Sequence, residues 1–165
     1  MAIFERKGWA VFAALSLILI MFGAGDVLEG GATYNGGEVV LFNSLTGTTW
    51  DALRSADPGA AKLIESQVRG TGALLFVFGL LSLLVSVNAL RSGQRWAWWA
   101  MWAWPLWFVF NYVLLWIAQP DLRAGLPVPL ISGTVFLVIT VATLGLSFRK
   151  YHRSVEPPTS LSTSR

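Results

Sequence analysis

Residues 70–90 read GTGALLFVFGLLSLLVSVNAL, 21 residues without a formal charge. A hydrocarbon core about 30 Å thick takes about 20 helical residues to cross, so this stretch has the length and composition of a transmembrane helix. Three more uncharged stretches flank it, at 8–25, 96–120 and 124–148, with 18, 25 and 25 residues. Four such stretches in one chain predict an all-α fold, an antiparallel four-helix transmembrane bundle. Its helices are expected at about 8–28, 58–90, 96–118 and 129–148. A structured first outer loop, about 29–57, is expected to contain a short surface helix. Residues 1–153 then form the membrane domain and 154–165 a disordered cytoplasmic tail, in which Pro157-Pro158 and the Ser and Thr residues show no apolar pattern.

Composition narrows the chemistry. With 165 residues, 55% hydrophobic and 13% charged, the chain is too apolar for a soluble fold of its size. It has no cysteine, which excludes disulfides, thiolate nucleophiles, cysteine metal sites and the four-helix quinone reductases that depend on a cysteine pair. The single histidine, His152, lies in the basic run RKYHR at 149–153 and reads as a solvated tail residue rather than a metal ligand. Neither a metal nor a cofactor is expected.

The charges sort by side. Arg6, Lys7, Arg91, Arg95, Arg149, Lys150, Arg153 and Arg165 face only Glu5 and Glu156, a balance of +6. The first and third loops with their flanks hold Arg54, Lys62, Arg69 and Arg123 against Asp26, Glu29, Glu38, Asp51, Asp57, Glu65 and Asp121, a balance of −3. Lys and Arg are retained on the cytoplasmic side, so both termini are expected inside a multi-pass protein of the plasma membrane, here the bacterial inner membrane. The pI of about 9.7 then reflects insertion, and no nucleic-acid partner is implied. The rival for the N-terminus is a signal peptide cleaved before Asp26, which Arg6-Lys7, the apolar run and the small pair Gly23 and Gly25 resemble; a retained helix is the expectation.

Between the spans, 29–37 reads as a glycine-rich loop, Asn35-Gly36 as a type I′ turn and 38–42 as a short strand. Thr48 and Asp51 have the spacing of a capping box, opening a short helix with Trp50 and Leu53 on one side. Asp57-Pro58 is an N-cap followed by proline at the first helical position, from which the helix is expected to run unbroken to Leu90. Glu65 and Arg69 form an i, i+4 pair. Pro105 removes the bond to the Met101 carbonyl and predicts a kink.

Small residues at Gly72, Gly79, Ser82, Ser86 and Ala89 form a seam on one helix face, and Gly133, Thr140, Thr143 and Ser147 a matching one. Such seams suit close packing in lipid, and the hydroxyls of the second would alternatively line a polar cavity. Seven of the nine tryptophans lie between Trp96 and Trp116. Trp96, Trp98, Trp99, Trp102 and Trp116 read as interfacial belts. Trp104 and Trp107 lie deeper and share a face with Asn111, as bundle core or as walls of a pocket for a flat apolar ligand. Asp26, Arg69 and Asn111 come to similar outer depths, with Glu29 and Tyr112 beside them, and are expected to converge as a structural staple or a ligand site. The candidate ligand-binding residues are therefore Asp26, Glu29, Arg69, Trp104, Trp107, Asn111 and Tyr112, with no catalytic residue among them.

The stretch RWAWWAMW at 95–102, with RGTG at 69–72, resembles small bacterial four-helix integral membrane proteins. The resemblance covers helices two and three and implies the fold but no activity. The loop lengths are also similar in topology to claudin-like tetraspan proteins, whose paired loop cysteines are missing from this sequence. The leading expectation is a non-enzymatic membrane protein that binds an amphipathic ligand, lipid or quinone-like, or serves as an accessory subunit. Its partners would be membrane lipids and a partner membrane protein or further copies of itself. The alternatives are a membrane enzyme acting on lipid or quinone, with Asp26 or Glu29 as the acid, and a small oligomeric transporter.

Overall fold

The computed structural model describes residues 2–35, 43, 46–118 and 128–152. All regular structure among them is helical. In chain order the elements are α1 (Ala2–Glu29), a 3-10 segment (Gly30–Asn35), α2 (Trp50–Ala56), α3 (Pro58–Leu84) continued by a π-helical segment (Val85–Leu90), α4 (Arg95–Ala100), α5 (Ala103–Ala118) and α6 (Val128–His152). The turn expected at Asn35-Gly36, the strand at 38–42 and the tail lie wholly or partly outside the described residues. Two apolar helical runs, Lys7–Asn35 and Pro58–Leu90, are long enough to cross a membrane.

The α1 and α3 helices pair most closely, and glycine is the reason. A Cβ on Gly23 would stand 2.5 Å from the Phe76 amide nitrogen and 2.6 Å from the Gly72 carbonyl oxygen. A Cβ on Gly72 would meet the Asp26 Cβ at 2.5 Å and the Gly23 carbonyl at 2.8 Å. The two backbones are therefore in direct contact, as small residues permit. Two turns further on, Gly79 faces the Ser16 carbonyl and Ile20. The face of α1 turned inward carries Phe12, Leu15, Ser16, Leu19 and Gly23, all buried at helical spacing. Its other side, Leu17, Ile18, Met21 and Phe22, is exposed. All five small residues of the α3 seam are buried.

Helix ends follow local chemistry. The Asp57 carboxylate accepts from the Ala60 amide at 2.9 Å and opens α3. The cap of α2 is Thr49, whose hydroxyl accepts from Ala52, rather than the expected Thr48; Thr49 has the extended backbone an N-cap requires. Asp51 instead accepts from the Asn35 amide at 3.1 Å. Trp50 packs on Ala61, Tyr34, Leu53 and Ile64 and lies flat on Gly31, so α2 is fastened to the first turns of α3. The glycine-rich stretch after Glu29 is a 3-10 turn rather than an open loop.

Two helices depart from the regular geometry read from the sequence. In α3 the Ser86 hydroxyl donates to the Ser82 carbonyl and the Asn88 amide to that of Leu84. These side chains compete for the i−4 carbonyls, and the backbone shifts to i−5 partners, Arg91 to Ser86 and Gln94 to Ala89, both at 3.0 Å. The third long helix is broken outright at Met101-Trp102. The Met101 carbonyl, which Pro105 cannot serve, accepts from the Trp104 amide at 3.2 Å instead. The break thus falls where the proline ring would collide with the preceding turn.

At the opposite end from α2, α6 runs four residues beyond its expected limit of 148. The extension buries Tyr151, whose hydroxyl donates to the Leu90 carbonyl at 2.8 Å. Burial pushes this phenol up to about 12. Its folded pKa lies above the unfolded value of about 10, so the associated stability is complete below pH 10 and lost as pH rises through 12. Tyr151→Phe is expected to cost about 1 kcal/mol at neutral pH and to remove this alkaline loss. Thermal unfolding in detergent at pH 8 and pH 11 checks both.

Candidate functional site

At the end of α1 nearest α2, Gly30 takes a left-handed φ of 58° and terminates α1. The last carbonyls of that helix, Val27 and Leu28, accept from the Arg69 guanidinium of α3. Arg69 is held in turn by Glu65, at 2.8 Å from Nη2 and 3.3 Å from Nε. A cation at the carbonyl end of a helix also meets the favourable pole of its dipole. Arg69 is therefore a cap delivered from a second helix. Asp26 takes no part in that cluster; it is half-buried, with its Cβ against Gly72, and Glu29 beyond it is exposed.

The four candidates on α5 divide. Trp104 is 2% exposed, its ring centroid 5.3 Å from that of Phe78 on α3 and 6.3 Å from that of Phe108. Trp107 is half-buried, 6.3 Å from Phe78 and 4.9 Å from Phe108. Phe108 stacks on Phe136 of α6 at 6.2 Å. These rings form a column joining three helices. The Tyr112 hydroxyl lies 2.9 Å from that of Thr134, in space left by Gly133. Asn111 donates to the Trp107 carbonyl of its own helix at 2.8 Å, and its side chain is exposed.

The structure therefore brings Trp104 and Trp107 together but does not draw Asn111 to Asp26 and Arg69. The reason is the rotation of this helix. Its inward ladder is Ala97, Met101, Trp104 and Phe108, with Trp98 alongside, which leaves Asn111 at the outer edge. Trp98 is accordingly no belt residue: it is 3% exposed, its indole donates to the Leu144 carbonyl at 3.0 Å, and its ring meets Trp99, Trp102 and Phe148 edge-on. Trp96 and Trp99 are exposed.

The hydroxyl seam is packed. Ser16, Ser82, Ser86, Thr140, Thr143 and Ser147 are all buried. Ser16, Ser86, Thr140 and Thr143 donate to carbonyls three or four residues earlier in their own helices. Ser147 sits where a Cβ on Gly8 would be, bringing α1 against α6. The side-chain donors left over are the buried indole N–H groups of Trp102 and Trp104, which have no acceptor among the described residues. No group of three or more metal-ligating side chains occurs among the described residues.

Residues that escaped sequence reasoning are Phe78, Phe108 and Phe136 of the aromatic column, and Ser16. Ser16 had a signal: it is the lone polar side chain between Gly8 and Gly25, and a polar group in an otherwise apolar helix turns toward its packing partners. No protein-family model, curated protein or solved structure matches this chain.

Proposed function

We propose that the protein crosses the membrane four times, through α1, α3, the α4–α5 pair and α6, with both termini cytoplasmic, and acts without catalysis as an assembly partner of other transmembrane helices. The crossing is supported by an inverted distribution of side chains. Among the described residues, six Ser and Thr side chains are buried while Leu74, Val77, Leu81, Leu84, Phe110, Leu114, Val135 and Val138 face outward. A soluble bundle would bury those apolar groups and expose the hydroxyls.

Asn111 carries the assembly reading. It lies amid exposed Leu106, Phe110, Leu114 and Ile117, and its own side chain is exposed. Such a group is expensive against lipid and is satisfied by hydrogen bonding to another helix. The amide both donates and accepts, so a second copy of this chain related by a two-fold axis supplies the complement. Asn111→Leu is expected to weaken self-association about tenfold, measured by energy transfer between labelled copies in vesicles. The chain lacks cysteine, so single Leu114→Cys and Leu74→Cys variants report proximity cleanly. Leu114→Cys cross-links between copies under this proposal; cross-linking no faster than at Leu74→Cys sinks it.

A second reading, an amphipathic ligand in the bundle, draws support from the buried indole N–H of Trp104, which has no acceptor among the described residues and is a donor suited to a quinone or lipid carbonyl. Native mass spectrometry of gently extracted protein tests it through a co-purifying mass that Trp104→Phe removes.

A further inference from the structure

Three chain segments meet at the end of the molecule opposite Arg69. Gly8 abuts Ser147, Tyr151 bonds the Leu90 carbonyl at 2.8 Å, and the Arg91 guanidinium sits over the Trp9 ring at 5.1 Å. The Lys150 ammonium sits over the Tyr151 ring at 5.0 Å. Lys7, Arg91 and Lys150 are thereby gathered at one end, with Arg95 across the short turn from Arg91, and all four are exposed. Every carboxylate whose side chain is described, Asp26, Glu29, Asp51, Asp57 and Glu65, belongs to the other end; in the sequence ahead of the tail, Glu5 alone stands near these cations.

Insertion topology requires only that cations be present on this side. Here two of them are held against aromatic faces, on segments tied together by a buried hydrogen bond. Cation–π contact holds the charged group while leaving N–H donors free for an anion. Below them the outward sides of α1 and α6, with Val138, Val141 and Phe148 exposed on α6, offer an apolar surface to acyl chains.

We infer that Arg91 and Lys150, assisted by Lys7 and Arg95, form a binding site for the phosphate of an anionic phospholipid headgroup in the cytoplasmic leaflet. The inference rests on the membrane-spanning reading and is independent of self-association through Asn111. A basic residue near an anionic surface contributes about 1 kcal/mol, so removing two is expected to weaken binding about thirtyfold.

The test is a native mass spectrometry titration of detergent-solubilised protein with phosphatidylglycerol and with phosphatidylcholine of identical acyl chains. The unaltered protein is expected to prefer phosphatidylglycerol, and Arg91→Gln/Lys150→Gln to abolish the preference. Arg54→Gln/Lys62→Gln, at the opposite end, is expected to retain it. If the first double variant does not fold, Lys150→Gln alone gives the same readout with about a fivefold loss. Equal binding of the two lipids, or an equal loss in the opposite-end variant, overturns the inference. Displacement of phosphatidylglycerol by millimolar inorganic phosphate also overturns it, by identifying a free-phosphate site. Protein that stays monodisperse without detergent overturns the membrane reading itself, whereas detergent-dependent protein lacking the preference overturns this inference alone.

Discussion

Gly23→Ala is expected to destabilise the fold by about 2–3 kcal/mol, while the same substitution at Gly25 is neutral or stabilising. At Gly23 the new methyl would fall 2.5 Å from the Phe76 amide nitrogen and 2.6 Å from the Gly72 carbonyl. Both obstacles are backbone, so no side-chain rotation relieves them and the helices must move apart. Separation at this point also loosens Gly79 against Ser16 and Ile20, because the contacts share one helix pair. At Gly25 a Cβ meets nothing within 4 Å, and alanine is the better helix former by about 1 kcal/mol. Chemical unfolding of both variants in a mild detergent distinguishes these outcomes by sign. Equal effects at the two positions would show that the close approach of α1 and α3 contributes no more than helix propensity.

The second large effect is expected at Trp98. Truncation to alanine removes a buried indole from between α4 and α6 and is expected to cost about 3–5 kcal/mol. Trp98→Phe keeps most ring contacts with Trp99, Trp102 and Phe148 but loses the bond to the Leu144 carbonyl, a loss of about 1 kcal/mol. Trp99→Ala, at an exposed ring, is expected to change stability by less than about 0.5 kcal/mol. Comparing the three by unfolding in detergent separates a core tryptophan from its exposed neighbour. A Trp98→Ala protein as stable as Trp99→Ala would refute the core assignment.

That contrast marks where the sequence was legible. Adjacent tryptophans are identical in composition-based reasoning, and headgroup preference treats them as one belt. Their fates divide because one indole reaches a carbonyl 46 residues away, a partner that local spacing does not reveal. The same holds for Asn111. A helical wheel gives its angle relative to Trp104 and Trp107, but which side of that wheel faces the bundle is set by Ala97, Met101 and Phe108 packing inward. Arg69 shows the opposite balance: its pairing with Glu65 was readable at i, i+4, whereas its bonds to the Val27 and Leu28 carbonyls were not.

By itself the sequence determined the helical class, the uncharged lengths, the Asp57-Pro58 start and the disturbance that Pro105 imposes, since each depends on residues within one or two turns. It also marked Gly72, Gly79, Ser82, Ser86 and Ala89 as a face fit for burial. The tertiary structure alone decided that Gly23 lies on Gly72, that Trp98 turns inward while Asn111 turns outward, and that Tyr151 closes over Leu90. Those outcomes depend on rotation and approach between helices, and such degrees of freedom are set by contacts among residues far apart in the chain.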